Sequence, residues 1–168
     1  ISPPECGKTS TIRELAVALE SNHPDLHLIV LLIDERPEEV TEIADVVEGE
    51  VLASTFDRPP EEHTQVAELT LERAKRMVEE GVDVVILVDG LSRLARAYNL
   101  VAPGNGKVLV EGVAAGALYP PKRFFGAARA LDEGGSLTVV ATAAVETGWR
   151  LDEMILESLQ GTANSVVR

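Results

Sequence analysis

The chain has 168 residues, 45% hydrophobic but only 4% aromatic, and its 28 acidic against 15 basic side chains give a formal net charge of −13. That balance excludes a surface that coats nucleic acid or an anionic membrane, so any polyanion must be met locally. No apolar run reaches the roughly 18 residues of a membrane span, the start lacks a signal pattern, and the single cysteine, Cys6, has no partner for an internal disulfide. The expectation is a cytoplasmic, single-core protein.

In chain order the first feature is Ser2-Pro3-Pro4-Glu5-Cys6-Gly7-Lys8-Thr9. It approaches G-x-x-x-x-G-K-[ST], a loop whose backbone N–H groups and following helix N-terminus cradle phosphates. Ser2 stands at the first Gly, and Glu5 sets a carboxylate beside the expected polyanion. Such a loop normally follows a buried strand; here only Ile1 precedes it, so the segment reads as cut from a longer protein. In this setting Cys6 reads as a small space-filling side chain rather than a nucleophile.

Residues 11–22 repeat apolar side chains at Ile12, Leu15, Ala16 and Leu19, a helical stripe stopped by His23-Pro24-Asp25. Residues 26–34 (LHLIVLLID) form an almost unbroken apolar run, too short for a core helix and therefore a buried strand. Pro37 with Glu38 and Glu39 opens a second helix, residues 50–55 give a short strand, and residues 59–80 give a long amphipathic helix ended by Gly81. Residues 83–89 (DVVILVD) are another buried strand, followed by a short helix over 91–99 and a Gly- and Pro-containing loop over 100–112. Helical segments are expected over 113–132, broken near Pro120 and Pro121, then a strand over 136–143, a loop over 145–152 and a last helix to about Leu159. Strands alternating with long crossovers predict an α/β fold, a mostly parallel sheet flanked by helices in one domain. Ligands on such sheets gather at the carboxyl ends of the strands.

The phosphate loop and two carboxylates converge on that edge. Asp89 ends a buried strand, as a Walker B carboxylate must to hold Mg²⁺, with the Thr9 hydroxyl as the second protein ligand. Glu35 is placed to polarise a water attacking a γ-phosphate. Arg36 and Arg93 either stabilise transition-state charge or form ordinary salt bridges. Pro4, Glu5, Cys6, Gly7, Lys8, Thr9 and Ser10 would surround the phosphates of ATP.

Several stretches carry a family resemblance: Pro3-Pro4 with Gly7-Lys8-Thr9, VLLIDERPEEV (30–40), GEVLASTFD (49–57), RLARAYN (93–99), PKRFFGAAR (121–129), EGGSLT (133–138), and Gly161-Thr162 with Asn164. Together, and in this order, they resemble the RecA-like ATPase core of the transcription termination factor Rho family. The resemblance implies a P-loop NTPase that hydrolyses ATP with Mg²⁺, works as a homo-hexamer, translocates on single-stranded RNA as a helicase and releases RNA polymerase. It further implies that Glu35 is the catalytic carboxylate, that Arg93 lies near the γ-phosphate, and that the loops over 100–112 and 145–152 face a central pore. Lys107, Thr147, Gly148, Trp149 and Arg150 would then touch RNA, with Trp149 stacking on a base or packing against a neighbour. The family's N-terminal RNA-binding domain and the segment that supplies its intersubunit arginine finger have no counterpart within these residues.

The sequence departs from the family pattern at Glu5 for Lys, Gly90 for Ser, Glu111 and Ala114 in the first loop, Trp149-Arg150 in the second, and Gln160 for Lys. Glu5 and Ser2 support an alternative, a nucleotide-binding module that has lost efficient hydrolysis. A rotary ATPase subunit shares the glutamate after a strand but lacks RLARAYN and PKRFFGAAR.

Overall fold

The computed structural model describes residues 1–102, 113–114 and 116–167. Among them are five strands, β1 (His27–Glu35), β2 (Glu50–Thr55), β3 (Asp83–Asp89), β4 (Arg129–Ala130) and β5 (Ser136–Ala141). Six helices accompany them: α1 (Lys8–Asn22), α2 (Pro37–Ala44), α3 (Pro60–Glu79), α4 (Leu91–Val101), α5 (Tyr119–Phe125) and α6 (Arg150–Gln160). The sheet order is β2-β1-β3-β5-β4. All pairings are parallel except β4 with β5.

The apolar runs of β1 and β3 are continuous because the sheet is covered on both faces. Leu28, Val30 and Leu32 of β1, with Val85 and Leu87 of β3, turn to the face that holds Ile12 and Ala16 of α1 and Ile43 of α2. The alternate residues Ile29, Leu31, Ile33, Ile86 and Val88 turn to the other face and pack with α3, α4, Phe124 of α5, and Ile155 and Leu159 of α6. Each such Leu or Ile, removed from water, contributes about 1.5–3 kcal/mol. This two-sided clamp fixes the register that brings the carboxyl ends of β1, β3 and β5 to one edge.

Two expectations are corrected. The helical reading of 113–132 fails on both sides of α5: the prolines do not break a helix but occupy its first turn, where a missing N–H costs nothing. Arg129 and Ala130 pair antiparallel with Leu137 and Ser136, because Gly134 and Gly135, at φ 102° and 82°, allow a tight reversal. The loop expected over 145–152 ends early, since α6 already begins at Arg150 and carries Asp152 in its first turn.

Candidate nucleotide-binding site

The phosphate loop is held open by backbone conformation. Glu5 and Gly7 lie in the left-handed region, at φ 58° and 73°, and Gly7 is the N-cap of α1 without offering a side-chain bond. The first turns of α2 and α3 carry acids, Glu38 with Glu39 and Glu61 with Glu62, whereas that of α1 carries none. The first turn of α1 thus sets no carboxylate of its own against its positive end, which favours an anion there, while Glu5, Glu39 and Glu42 line the same cavity. Lys8 Nζ donates to the carbonyls of Pro3 at 2.6 Å and Ser2 at 3.3 Å, so the ammonium lies folded over its own loop. Ser2 also bridges in parallel to Ala144 beyond β5, which ties the loop to the sheet edge.

The end of β1 is shaped by a bulge. Register with β2 slips between Ile33 and Glu35, and the intervening Asp34 takes φ 56°, a conformation Asp tolerates better than most residues. Asp34 is therefore exposed while Glu35 is turned inward and only 3% exposed. Burial raises the Glu35 carboxyl to about 7, and the Arg93 guanidinium that hydrogen-bonds it opposes the rise. Arg93 also donates to the carbonyls of Ile33 at 3.1 Å and Asp34 at 3.2 Å, locking α4 against the end of β1. Arg36, by contrast, is exposed at the N-cap of α2.

Asp89 at the end of β3 is 2% exposed. Its Oδ1 accepts from Thr142 Oγ1 at 2.5 Å, while Oδ2 is buried without a hydrogen-bond partner among the described residues. A lone buried carboxylate oxygen is costly unless a cation or donor meets it. Asp89 opens into a cavity of about 680 Å³ that Lys8, Thr9, Arg93 and Thr142 also line. The residues present fit ATP with Mg²⁺: helix N–H groups and Lys8 for phosphate, Thr9 and Asp89 for the cation. Pro4, Glu5, Gly7 and Ser10 line the same cavity; Cys6 is exposed and does not.

The second loop candidates divide. Thr147 lines the cavity and donates to Asp152 Oδ2 at 2.7 Å, Gly148 turns the chain at φ 74°, and Trp149 is 65% exposed. Arg150 is the first residue of α6, and Lys107 lies outside the described residues. Sequence reasoning missed Arg13, Ser92, Arg96 and Thr142 in the cavity wall. Arg96 was the one with a signal, standing one helical turn after Arg93 on the same stripe.

Residues 1–163 match the family model described as ATP synthase alpha/beta family, nucleotide-binding domain, and the chain belongs to that family. Within it, the likeness is to Rho. The chain is 57% identical over 168 residues to the transcription termination factor Rho of Micrococcus luteus, covering 100% of this chain and 24% of that protein. It is 60% identical over 164 residues to the Rho of Pseudomonas fluorescens biotype C, covering 98% and 39%. The chain therefore spans well under half of either relative. A solved ATPase of a bacterial type III secretion system superposes with a TM-score of 0.80 at 21% identity, over 95% of this chain and 46% of that one. The fold is RecA-like, and the resemblance to the Rho ATPase core read from the motifs holds along the chain. No helix among the described residues is long and apolar enough to cross a membrane.

Proposed function

We propose that this chain is the ATP-hydrolysing core of a Rho-type transcription termination factor, an RNA-dependent ATPase that acts in the bacterial cytoplasm as a homo-hexamer and moves along single-stranded RNA toward RNA polymerase. The observation that carries the reading is the meeting, around one cavity, of a bare helix N-terminus with Lys8, a buried Asp89 oxygen lacking a partner, and Arg93 with Glu35 behind it. Thr9 and Asp89 would hold Mg²⁺, which would supply positive charge against the phosphates.

Lys8 and the α1 N–H groups would bind and orient the phosphates. Glu35, once ionised, takes the proton of a water whose oxygen bonds to the γ-phosphorus as the bond to the β-bridging oxygen breaks and ADP leaves with that electron pair. Proton acceptance of this kind contributes about 10²–10⁴-fold. Arg93 holds the Glu35 carboxylate in place and, lining the cavity itself, is available to the γ-phosphate. The loops over 100–112 and 145–152, with Lys107, Thr147, Gly148, Trp149 and Arg150, would meet RNA at the ring centre.

The test is ATP hydrolysis by the full-length protein with and without single-stranded RNA. RNA-stimulated turnover that disappears in Lys8→Ala and falls about 10²–10⁴-fold in Glu35→Gln supports the reading. Nucleotide binding without turnover overturns it in favour of a binding module, the reading that Glu5 in the cavity wall favours.

A further inference from the structure

Trp149 is the single tryptophan of the chain and is 65% exposed, yet both its backbone and its ring are anchored. Its backbone N–H donates to Thr147 Oγ1 at 3.2 Å, and that hydroxyl donates to Asp152 Oδ2 at 2.7 Å. Asp152 is only 1% exposed and takes a bidentate fork from Arg96, whose Nε reaches Oδ1 at 2.9 Å while Nη2 reaches Oδ2. The Arg96 guanidinium held in this way lies over the Trp149 ring, 5.7 Å from its centre, within the range where a cation is attracted to an aromatic face. One face of the indole is therefore backed by a fixed cation, and the other is open to solvent.

We propose that Trp149 is a specificity-determining residue that stacks the open face of its indole on a nucleobase of single-stranded RNA. The turn over residues 147–149 then reads the presence of a base, and not only the phosphate chain; the inference rests on the proposed contact of this turn with RNA. A flat ring with two side-chain torsions, already anchored from behind, loses little conformational freedom when a base settles on it. Because every base has a π face, the contact accepts any base and rejects a position that has none. Arg96 also decides what the ring prefers. A cation on one face draws the π density toward itself, so the opposite face is a poorer host for a second cation from a protein partner and is suited to a neutral aromatic face. The charge of Arg96 is itself met by Asp152, so this contact adds no phosphate-binding cation. Stacking releases no counterions, and the salt slope of RNA binding is set by other side chains.

The experiment measures, for the full-length protein, the RNA concentration that half-stimulates ATP hydrolysis. It compares an adenine oligoribonucleotide with an oligomer of the same length and charge whose riboses carry no bases. The intact protein is expected to need more of the abasic oligomer. In Trp149→Leu the requirement for the base-bearing oligomer should rise about 5- to 150-fold, the equivalent of the ~1–3 kcal/mol of one base–aromatic stack at about 1.4 kcal/mol per tenfold. The difference between the two oligomers should shrink by the same factor while the slope against salt stays as it was. Trp149→Phe, which keeps an aromatic face, should recover part of the difference. Equal stimulation of the intact protein by both oligomers, or a preference that Trp149→Leu leaves whole, overturns the stacking role alone. Dissociation of the oligomer by Trp149→Leu, seen in sedimentation, overturns it in favour of packing against a neighbouring protomer. No stimulation of the intact protein by either oligomer overturns the proposed RNA-dependent activity and the inference with it.

Discussion

Glu35 shows how one residue's position makes a pH prediction. Its carboxyl is raised from 4.5 to about 7, chiefly by burial, with Arg93 pulling it back. A base must be ionised, so hydrolysis is expected to rise with pH through about 7. Arg93→Gln removes the opposing cation; the acidic limb of kcat then moves to higher pH and the rate at neutrality falls. A pH–rate profile checks this, and an unmoved limb would separate Arg93 from Glu35. The same shift has a stability consequence. Between 4.5 and about 7 the folded state binds more protons at Glu35 than the unfolded state, so this group's contribution declines as pH rises through that window. In the sequence, a carboxylate closing each buried apolar strand was legible, Asp89 after β3 and the pair Asp34 and Glu35 at the end of β1. The Arg96–Asp152 pair was not, since 56 residues separate the partners and nothing local distinguishes a buried Asp in a helix's first turn from an ordinary capping acid.

At the scale of elements, the buried strands β1 and β3, the half-buried edge strand β2 and the helices between them follow from apolar run length and the stop signals around them. The region after α4 was misread because it depends on backbone detail: prolines that start α5 rather than break it, and a glycine pair that folds β4 back on β5. Gly134 and Gly135 are not equivalent there. Both have positive φ, but a Cβ on Gly134 would meet nothing within 4 Å, whereas one on Gly135 would lie 2.3 Å from the Val78 carbonyl oxygen and 3.1 Å from Gly81 Cα. Gly134→Ala should cost only the backbone strain, about 1–3 kcal/mol. Gly135→Ala must also push β5 off the end of α3, which forms the core with it, and should cost more. Urea denaturation midpoints order the two variants, and an equal loss would mean that the close approach yields without cost. The Glu35 bulge belongs to the same class of detail. Strand periodicity alone could not say whether Asp34 or Glu35 faces inward, and a single left-handed residue decides it.

For the whole molecule the proposed function poses the question of how a chain of net charge −13 would meet RNA. Acidity of that size repels a polyanion at long range, so affinity must come from a few cations concentrated at one place. The proposed ring would supply that concentration: one or two basic side chains per protomer, repeated around a pore, would make a positive collar inside an acidic body. The proposal assigns Arg150, the first residue of α6 and the chain neighbour of the exposed Trp149, to that collar. Single-strand binding loses about 0.7 in the slope of log affinity against log salt for each phosphate contact removed. Arg150→Ala in the full-length protein should therefore weaken RNA stimulation of ATP hydrolysis and flatten its salt dependence, while ATP binding measured by calorimetry stays as it was. Because the intact protein loses affinity more steeply with salt than the variant, the effect should be largest at low salt and shrink as salt is raised toward physiological strength. RNA stimulation and a salt slope both unchanged by Arg150→Ala would take the residue 145–152 segment out of the RNA path.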